Sequence, residues 1–113
     1  MTFFDTALKR AEMVRNWRKH AESIAAAAKE LLSKVDVYVF GSVARGEHVA
    51  ASDVDMLIIS DEIPETMLER AALKVELEKK AGLPYYHPFE LHLVRPDEAE
   101  PYLRRAGEHL IRL

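Results

Sequence analysis

The sequence contains no cysteine, which excludes a disulfide framework and a thiolate zinc site. No apolar run approaches the roughly 20 residues that a membrane-spanning helix needs. The amino terminus also lacks the charged, apolar and small-residue order of a signal peptide. These absences predict a cytoplasmic protein with no membrane partner.

An excess of positive charge is missing as well. The formal net charge is -3 at pH 7, and general nucleic-acid binders need a basic field to replace the counterions of phosphates. We therefore do not expect a nucleic-acid partner. The 113 residues, 49% of them apolar, predict one domain spanning residues 1–113. That length leaves little chain for a second lobe around a large substrate. The sequence allows a homo-oligomer but does not require one.

Glycine and proline are sparse, and their positions delimit the predicted helices. Neither occurs over residues 5–34, where apolar residues recur at three- and four-residue steps. This pattern predicts one long N-terminal amphipathic helix with Asp5 as its N-cap. A second helix is predicted over residues 64–81, closed by Gly82, and a last one over residues 96–107.

Short runs rich in β-branched, aromatic and other apolar residues lie between these helices and predict strands. They cover residues 35–40, 54–59 and 89–94, and residues 109–113 are a candidate edge strand. The first link is short enough for antiparallel neighbours, whereas a helix can cross between parallel second and third strands. We predict an α/β (α+β) fold in which helices cover a small mixed sheet of three to four strands in the order 1-2-3.

Two aspartates stand at the start of the second predicted strand. Asp53 and Asp55 are two residues apart, so both carboxylates project from one face, roughly 7 Å apart at the backbone. Mg²⁺ is a suitable counter-charge because it binds a few carboxylates together with substrate phosphates. Glu90 begins the neighbouring strand and is the candidate third ligand of a site for two ions about 3.5 to 4 Å apart.

Gly41 and Ser42 follow the first predicted strand and reach the same edge of the sheet. Glycine lets backbone amides approach an anion closely, and Ser42 adds a hydroxyl donor. Arg45 follows within about one helical turn, where its guanidinium can bind a triphosphate or remain a solvated charge. Ser52, directly before the acids, is a further candidate for nucleotide binding.

The stretch GSVARGEHVAASDVDMLII, residues 41–59, follows an apolar strand and joins Gly-Ser through ten residues to Asp-x-Asp. It resembles the motif of the DNA polymerase β-type nucleotidyltransferase superfamily. The closest likeness is to its short branch, the minimal nucleotidyltransferases often paired with helical HEPN proteins as antitoxin and toxin. The resemblance implies that the two aspartates and Glu90 are catalytic metal ligands and that the Gly-Ser pair binds the triphosphate. Aspartate is common at the third position, where Glu90 is longer by one methylene.

The resemblance also implies an activity, the Mg²⁺-dependent transfer of AMP from ATP to a hydroxyl of a HEPN-like partner protein. Two other interpretations stay open. The protein could be a non-catalytic, nucleotide-binding antitoxin or regulator that acts by complex formation. It could also modify a small molecule, as antibiotic-modifying nucleotidyltransferases do, although that activity needs a substrate-binding lobe.

Two further features have no assigned catalytic role. His92 shares the predicted face of Glu90, and the interpretation as a surface histidine is favoured over one in which it positions Glu90 or touches substrate. The first predicted helix carries a basic cluster that is interpreted as a solvated face, with an acidic or nucleic-acid partner as the alternative. That cluster comprises Lys9, Arg10, Arg15, Arg18 and Lys19.

Overall fold

The computed structural model describes residues 2–113, which form a four-stranded sheet in the order β3-β2-β1-β4. The strands are β1 Asp36–Phe40, β2 Val54–Ile59, β3 Phe89–Val94 and β4 Ile111–Arg112. Strand β2 runs antiparallel to β1 and parallel to β3, and β4 pairs antiparallel with the other side of β1. The predicted mixed sheet in order 1-2-3 is confirmed, and β4 extends it beyond β1.

Five α-helices surround the sheet within the described residues. They are α1 Phe3–Arg15, α2 Trp17–Leu31, α3 Ser42–Arg45, α4 Met67–Lys80 and α5 Glu100–Ala106, and a 3-10 turn covers Pro96–Glu98. No helix in residues 2–113 is both long and apolar enough to cross a membrane.

The prediction of one long N-terminal helix was wrong, because the chain breaks at Asn16 between α1 and α2. Asn16 has φ -102° and ψ 33°, outside helical geometry, and its N–H donates to carbonyls of the preceding turn. Asparagine competes with helical bonding more than most residues do, and a single-residue break leaves the apolar periodicity almost unchanged. The N-cap is Thr2, with Asp5 completing a reciprocal capping box at the third helical position.

The start of the second predicted helix was also wrong. Helix α4 begins at Met67, with Thr66 as N-cap, its hydroxyl oxygen accepting a hydrogen bond from the Glu69 N–H at 3.2 Å. A threonine followed after three residues by glutamate is a strong start signal, and it overrides the preference of Pro64 for a first helical position. The last predicted helix is divided into the 3-10 turn and α5.

The sheet is covered on both faces. Helices α2 and α4 pack on one face, where the core includes Ile24, Met56 and Leu77, and Ala99 and Ala106 pack near Leu57 on the other. Strand β2 is therefore buried on both sides, as a central strand requires. The buried middle of β2 fixes the register at its polar start, where the candidate site lies.

Candidate active site

Asp55 lies at the centre of one edge of the sheet. Strand pairing places it opposite Phe40 at the end of β1 and opposite Glu90 at the start of β3. The antiparallel link and the parallel crossover together bring these three positions side by side, as the topology predicts. The Asp55 side chain is 25% exposed, so its carboxylate is partly sheltered from solvent.

The Gly-Ser turn sits directly against this aspartate. Gly41 has φ +80°, a conformation that L-residues with side chains rarely adopt, and it precedes α3 as the N-cap. A Cβ atom at Gly41 would lie 2.5 Å from Asp55 Oδ2, closer than any ordinary contact. The glycine is therefore required twice, for the backbone conformation of the turn and for the space that the Asp55 carboxylate occupies.

His92 lies two residues after Glu90 on the same face of β3, and its side chain approaches Asp55. The His92 Nε2–H donates a hydrogen bond to Asp55 Oδ1 at 3.3 Å. That bond is the main reason that the pKa of Asp55 lies below its ordinary value of 3.8, against the opposing effect of partial burial. The imidazole thus favours the ionised form of Asp55, and His92 has a hydrogen-bond partner inside the cleft.

The pKa of Glu90 is shifted in the opposite direction. Its hydrogen bond with Asp55 raises its pKa above the ordinary 4.5, with partial desolvation and the charges of Asp53 and Asp55 adding to the effect. The two carboxyl groups therefore form a coupled pair in which Asp55 loses its proton first. A nearby divalent cation would relieve this repulsion.

Asp55, Glu90 and His92 each offer one ligand atom, and these atoms all lie within 4.8 Å of one another. The two carboxylates suit Mg²⁺ or Mn²⁺, and the imidazole can add a nitrogen ligand only through a ring nitrogen that carries no proton. This cluster differs from the predicted set of Asp53, Asp55 and Glu90, since a histidine stands where Asp53 was expected.

Asp53 lies in the same cleft but has another partner. Its Oδ1 is 2.6 Å from the Arg10 guanidinium of α1, and its side chain is 55% exposed. Arg10 was interpreted as part of a solvated face, and this interpretation was wrong. No local signal in the sequence connects two residues that are 43 positions apart.

One cleft of about 460 Å³ contains every residue that the sequence singled out as a candidate. These residues are Gly41, Ser42, Arg45, Ser52, Asp53, Asp55 and Glu90. The Ser52 hydroxyl oxygen accepts a hydrogen bond from the Val49 N–H at 2.9 Å, and Arg45 Nε donates to Glu47 at 3.2 Å. Both side chains therefore have protein partners while they line the cleft.

The cleft also includes residues that the sequence did not assign to it, Phe40, His92 and Arg105. Arg105 lies in the last turn of α5, with its guanidinium 5.7 Å from the centre of the Tyr102 ring. Its charge contributes to the lowered pKa of Asp55. Only the tertiary packing of α5 on the sheet brings Arg105 here, so no spacing in the sequence could reveal it.

A mixed sheet that presents a Gly-Ser turn and strand-end carboxylates at one edge defines the nucleotidyltransferase class of fold. The chain belongs to the nucleotidyltransferase domain family, whose model matches residues 21–108. Proteins of this family generally use a nucleoside triphosphate and a divalent metal ion, and Asp55, Glu90 and His92 form a group that could hold a metal ion.

Two solved structures are similar to this chain over most of their length. One is a candidate nucleotidyltransferase from Sulfolobus solfataricus, 19% identical, with a TM-score of 0.61 over 95% of this chain and 85% of the other. The second is another candidate nucleotidyltransferase, 26% identical, with a TM-score of 0.65 over 83% of this chain and 97% of the other. No curated protein matches the chain significantly. The structural matches support the fold assignment independently of the motif.

Proposed function

We propose that this protein is a Mg²⁺-dependent nucleotidyltransferase that transfers AMP from ATP to a hydroxyl group of a partner protein. The observation that carries the proposal is the meeting of the Gly-Ser turn with Asp55 and Glu90 in one cleft. The proposal treats residues 1–113 as a single catalytic domain that acts in the cytoplasm.

The proposed roles follow from the positions of the side chains in the cleft. Asp53, Asp55 and Glu90 would hold Mg²⁺, and backbone and hydroxyl donors of the Gly-Ser turn would bind the triphosphate with help from Arg45 and Ser52. When bound, the metal supplies Lewis-acid stabilisation of the charge that develops on the phosphate oxygens. His92 keeps Asp55 ionised and oriented for this purpose.

In the proposed reaction, the acceptor hydroxyl oxygen forms a bond to the α-phosphorus of ATP. The bond from that phosphorus to the bridging oxygen breaks, and pyrophosphate leaves. The hydroxyl proton passes to a carboxylate of the cleft and then to water. The residues of the cleft contribute mainly by positioning and by charge, as expected for phosphoryl chemistry.

The proposed acceptor is a protein, which we infer from the size of the cleft. A volume of about 460 Å³ lies within the range of small-ligand sites and is suited to one nucleotide with little space left over. An acceptor that brings its own surface needs no second lobe in this chain. By the motif resemblance, we propose a HEPN-like helical protein, with this chain as the antitoxin of the pair.

The proposal can be tested with ATP labelled on the α-phosphate, Mg²⁺ and each protein encoded by a gene next to the one for this chain. Label is expected on the partner protein, whereas ATP labelled on the γ-phosphate should leave it unlabelled, because pyrophosphate departs. Label from the γ-phosphate alone would indicate a kinase. No label from either ATP, under conditions in which ATP binds, would count against transfer.

A second candidate function is a non-catalytic antitoxin or regulator that acts by complex formation. The pairing of Asp53 with Arg10, away from Glu90 and His92, is the observation that favours it. The double variant Asp53→Asn, Asp55→Asn separates the two functions. Loss of neutralisation with retained complex formation supports transfer, and unchanged neutralisation supports binding alone.

A further inference from the structure

Arg10 contacts the segment before β2 at three separate oxygen atoms. Its guanidinium donates to Asp53 Oδ1 at 2.6 Å and to the carbonyl oxygens of Ala51 and Ser52, each at 3.3 Å. The Arg10 side chain is 26% exposed, which is well sheltered for an arginine on an outer helix. A planar guanidinium with five donors is suited to hold a carboxylate and neighbouring carbonyls together.

These three contacts have different consequences for a cation at the cleft. The Asp53 carboxylate cannot offer Oδ1 fully to a metal ion while it accepts a charged hydrogen bond from Arg10. The two carbonyl oxygens, in contrast, belong to the backbone and can keep Arg10 in place after Asp53 leaves. The exchange of Asp53 between two cationic partners therefore requires the loss of only one of the three contacts.

We propose that Arg10 is a positioning residue that acts through Asp53, holding its carboxylate as a counter-ion and yielding it when a divalent cation binds. The inference rests on the proposed function, since it assumes that Asp53 becomes a metal ligand. It assigns α1 a role at the metal site, although the motif lies entirely outside that helix. In this arrangement Arg10 weakens cation binding, because it competes with the cation for the Asp53 carboxylate.

The test is the affinity for Mn²⁺ without nucleotide, measured by electron paramagnetic resonance for the wild type, Arg10→Gln and Arg15→Gln. Arg15 lies on the same helix and forms no ion pair within residues 2–113, so its variant matches the change of charge. Arg10→Gln should bind Mn²⁺ about five-fold more tightly, because one positive charge near the ion is removed. Arg15→Gln should change the affinity by less than about two-fold.

The direction of the change distinguishes this role from a merely structural one. If Arg10 only kept the segment folded, its loss would weaken Mn²⁺ binding, and that result would overturn the inference. Binding by the wild type with an unchanged affinity in Arg10→Gln would also overturn it, while leaving the proposed function intact. No Mn²⁺ binding by the wild type would overturn both.

A second measurement needs no variant and therefore does not depend on the folding of one. The side-chain Nε–H signals of Arg10 and Arg15 can be followed by NMR while Mg²⁺ is added to the intact protein. The Arg10 signal should shift along a saturating curve as the Mg²⁺ concentration rises, and the Arg15 signal should stay in place. An Arg10 signal that does not respond at saturating Mg²⁺ would overturn the exchange.

Discussion

Asp53 and Asp55 belong to one short motif, yet the fold holds them in different ways. Asp55 is the second residue of β2, fixed by pairing with β1 and β3, and its neighbours are Gly41, His92 and Glu90. Asp53 precedes the strand, and an arginine from a separate helix holds its carboxylate. The inner acid is positioned by the sheet, whereas the outer acid depends on α1.

This difference indicates which part of the site is preorganised. Side chains on paired strands are held more precisely than those on connecting segments, because the ladder hydrogen bonds and the buried core fix their backbone. Asp55 and Glu90 are direct neighbours on the paired strands β2 and β3. The distance between them should therefore change little when other parts of the chain move. The outer acid can move, and it is the one whose partner changes in the inferred exchange.

The largest expected effect comes from replacing the inner acid. Asp55→Asn should abolish measurable Mn²⁺ binding and lower the transfer rate by about 10³-fold, because it removes the central charged ligand of the cleft. Asp53→Asn should weaken Mn²⁺ binding by about ten-fold, with a smaller loss of rate. Titrations and single-turnover rates for both variants test this comparison. A greater loss of Mn²⁺ binding in Asp53→Asn would reverse the order of the two acids.

The next effect concerns the space beside Asp55. Gly41→Ala should lower the free energy of unfolding by about 1–3 kcal/mol through backbone strain, and displace the Asp55 carboxylate. A displacement near 1 Å can lower a rate by about 100-fold, so transfer should fall by that amount. The variant would be compared with wild type by chemical denaturation and by single-turnover transfer.

Gly82→Ala is the matched control for this variant. Gly82 has a similar φ of +72°, but a Cβ there meets no atom within 4 Å. It should share the strain of the positive φ, with a stability loss of about 1 kcal/mol, and keep the wild-type transfer rate. An equal loss of rate in both glycine variants would show that strain, and not the contact with Asp55, causes the effect.

The sheet and the residues that it positions could be predicted closely from the sequence. The bounds of β2 and β3 were correct to the residue, because each strand is a dense apolar or alternating run bounded by residues of another type. The convergence of Gly41, Asp55 and Glu90 also followed from strand order. These features depend on local pattern and on connection lengths, both of which can be read from a single chain.

The features that were missed depend on contacts between distant elements. The helix break at Asn16 hardly alters periodicity, and the Arg10–Asp53 pair joins residues 43 positions apart. Arg105 reaches the cleft only through the packing of α5. His92 was considered through the face that it shares with Glu90, but its bond to Asp55 depends on the parallel register of β2 and β3.

A smaller effect should follow the loss of the hydrogen bond from His92. His92→Leu has no side-chain donor and should raise the pKa of Asp55, because the bond from His92 is the main cause of its lowered value. The acidic limb of the pH–rate profile should therefore move to higher pH, so the loss of rate should be largest at acidic pH and should shrink toward neutrality. A uniform loss at all pH values would assign His92 a role other than keeping Asp55 ionised.

The effect of this variant on folding stability should also depend on pH. A lowered pKa means that ionised Asp55 stabilises the folded state above its ordinary value of 3.8, and this contribution is lost as pH falls through the folded value. His92→Leu should be destabilised relative to wild type near pH 6, and the difference should shrink as the pH is lowered below 3.8. Denaturant melts at several pH values provide the measurement.

The smallest expected effect is a gain of stability. The raised pKa of Glu90 means that its contribution is favourable below its ordinary value of 4.5 and is lost as pH rises through the folded value. At pH 7, Glu90→Gln should therefore stabilise the protein by about 0.5 kcal/mol, a small value because the side chain is solvent-screened. The gain should disappear near pH 4. Glu76→Gln, on the exposed part of α4, makes the same chemical change away from the cleft and should show no such dependence.

Saturating Mg²⁺ should reverse the sign of the stability difference between Glu90→Gln and wild type. Binding to the folded state raises wild-type stability by an amount that grows with the ratio of free metal to its dissociation constant. Glu90→Gln replaces one of the clustered carboxylates by a neutral amide, so it should gain less from Mg²⁺ than wild type does. The variant should thus be the more stable protein without metal and the less stable one with it. A gain from Mg²⁺ equal to that of wild type would remove Glu90 from the metal site and leave Asp55 as the acid on which the cleft depends.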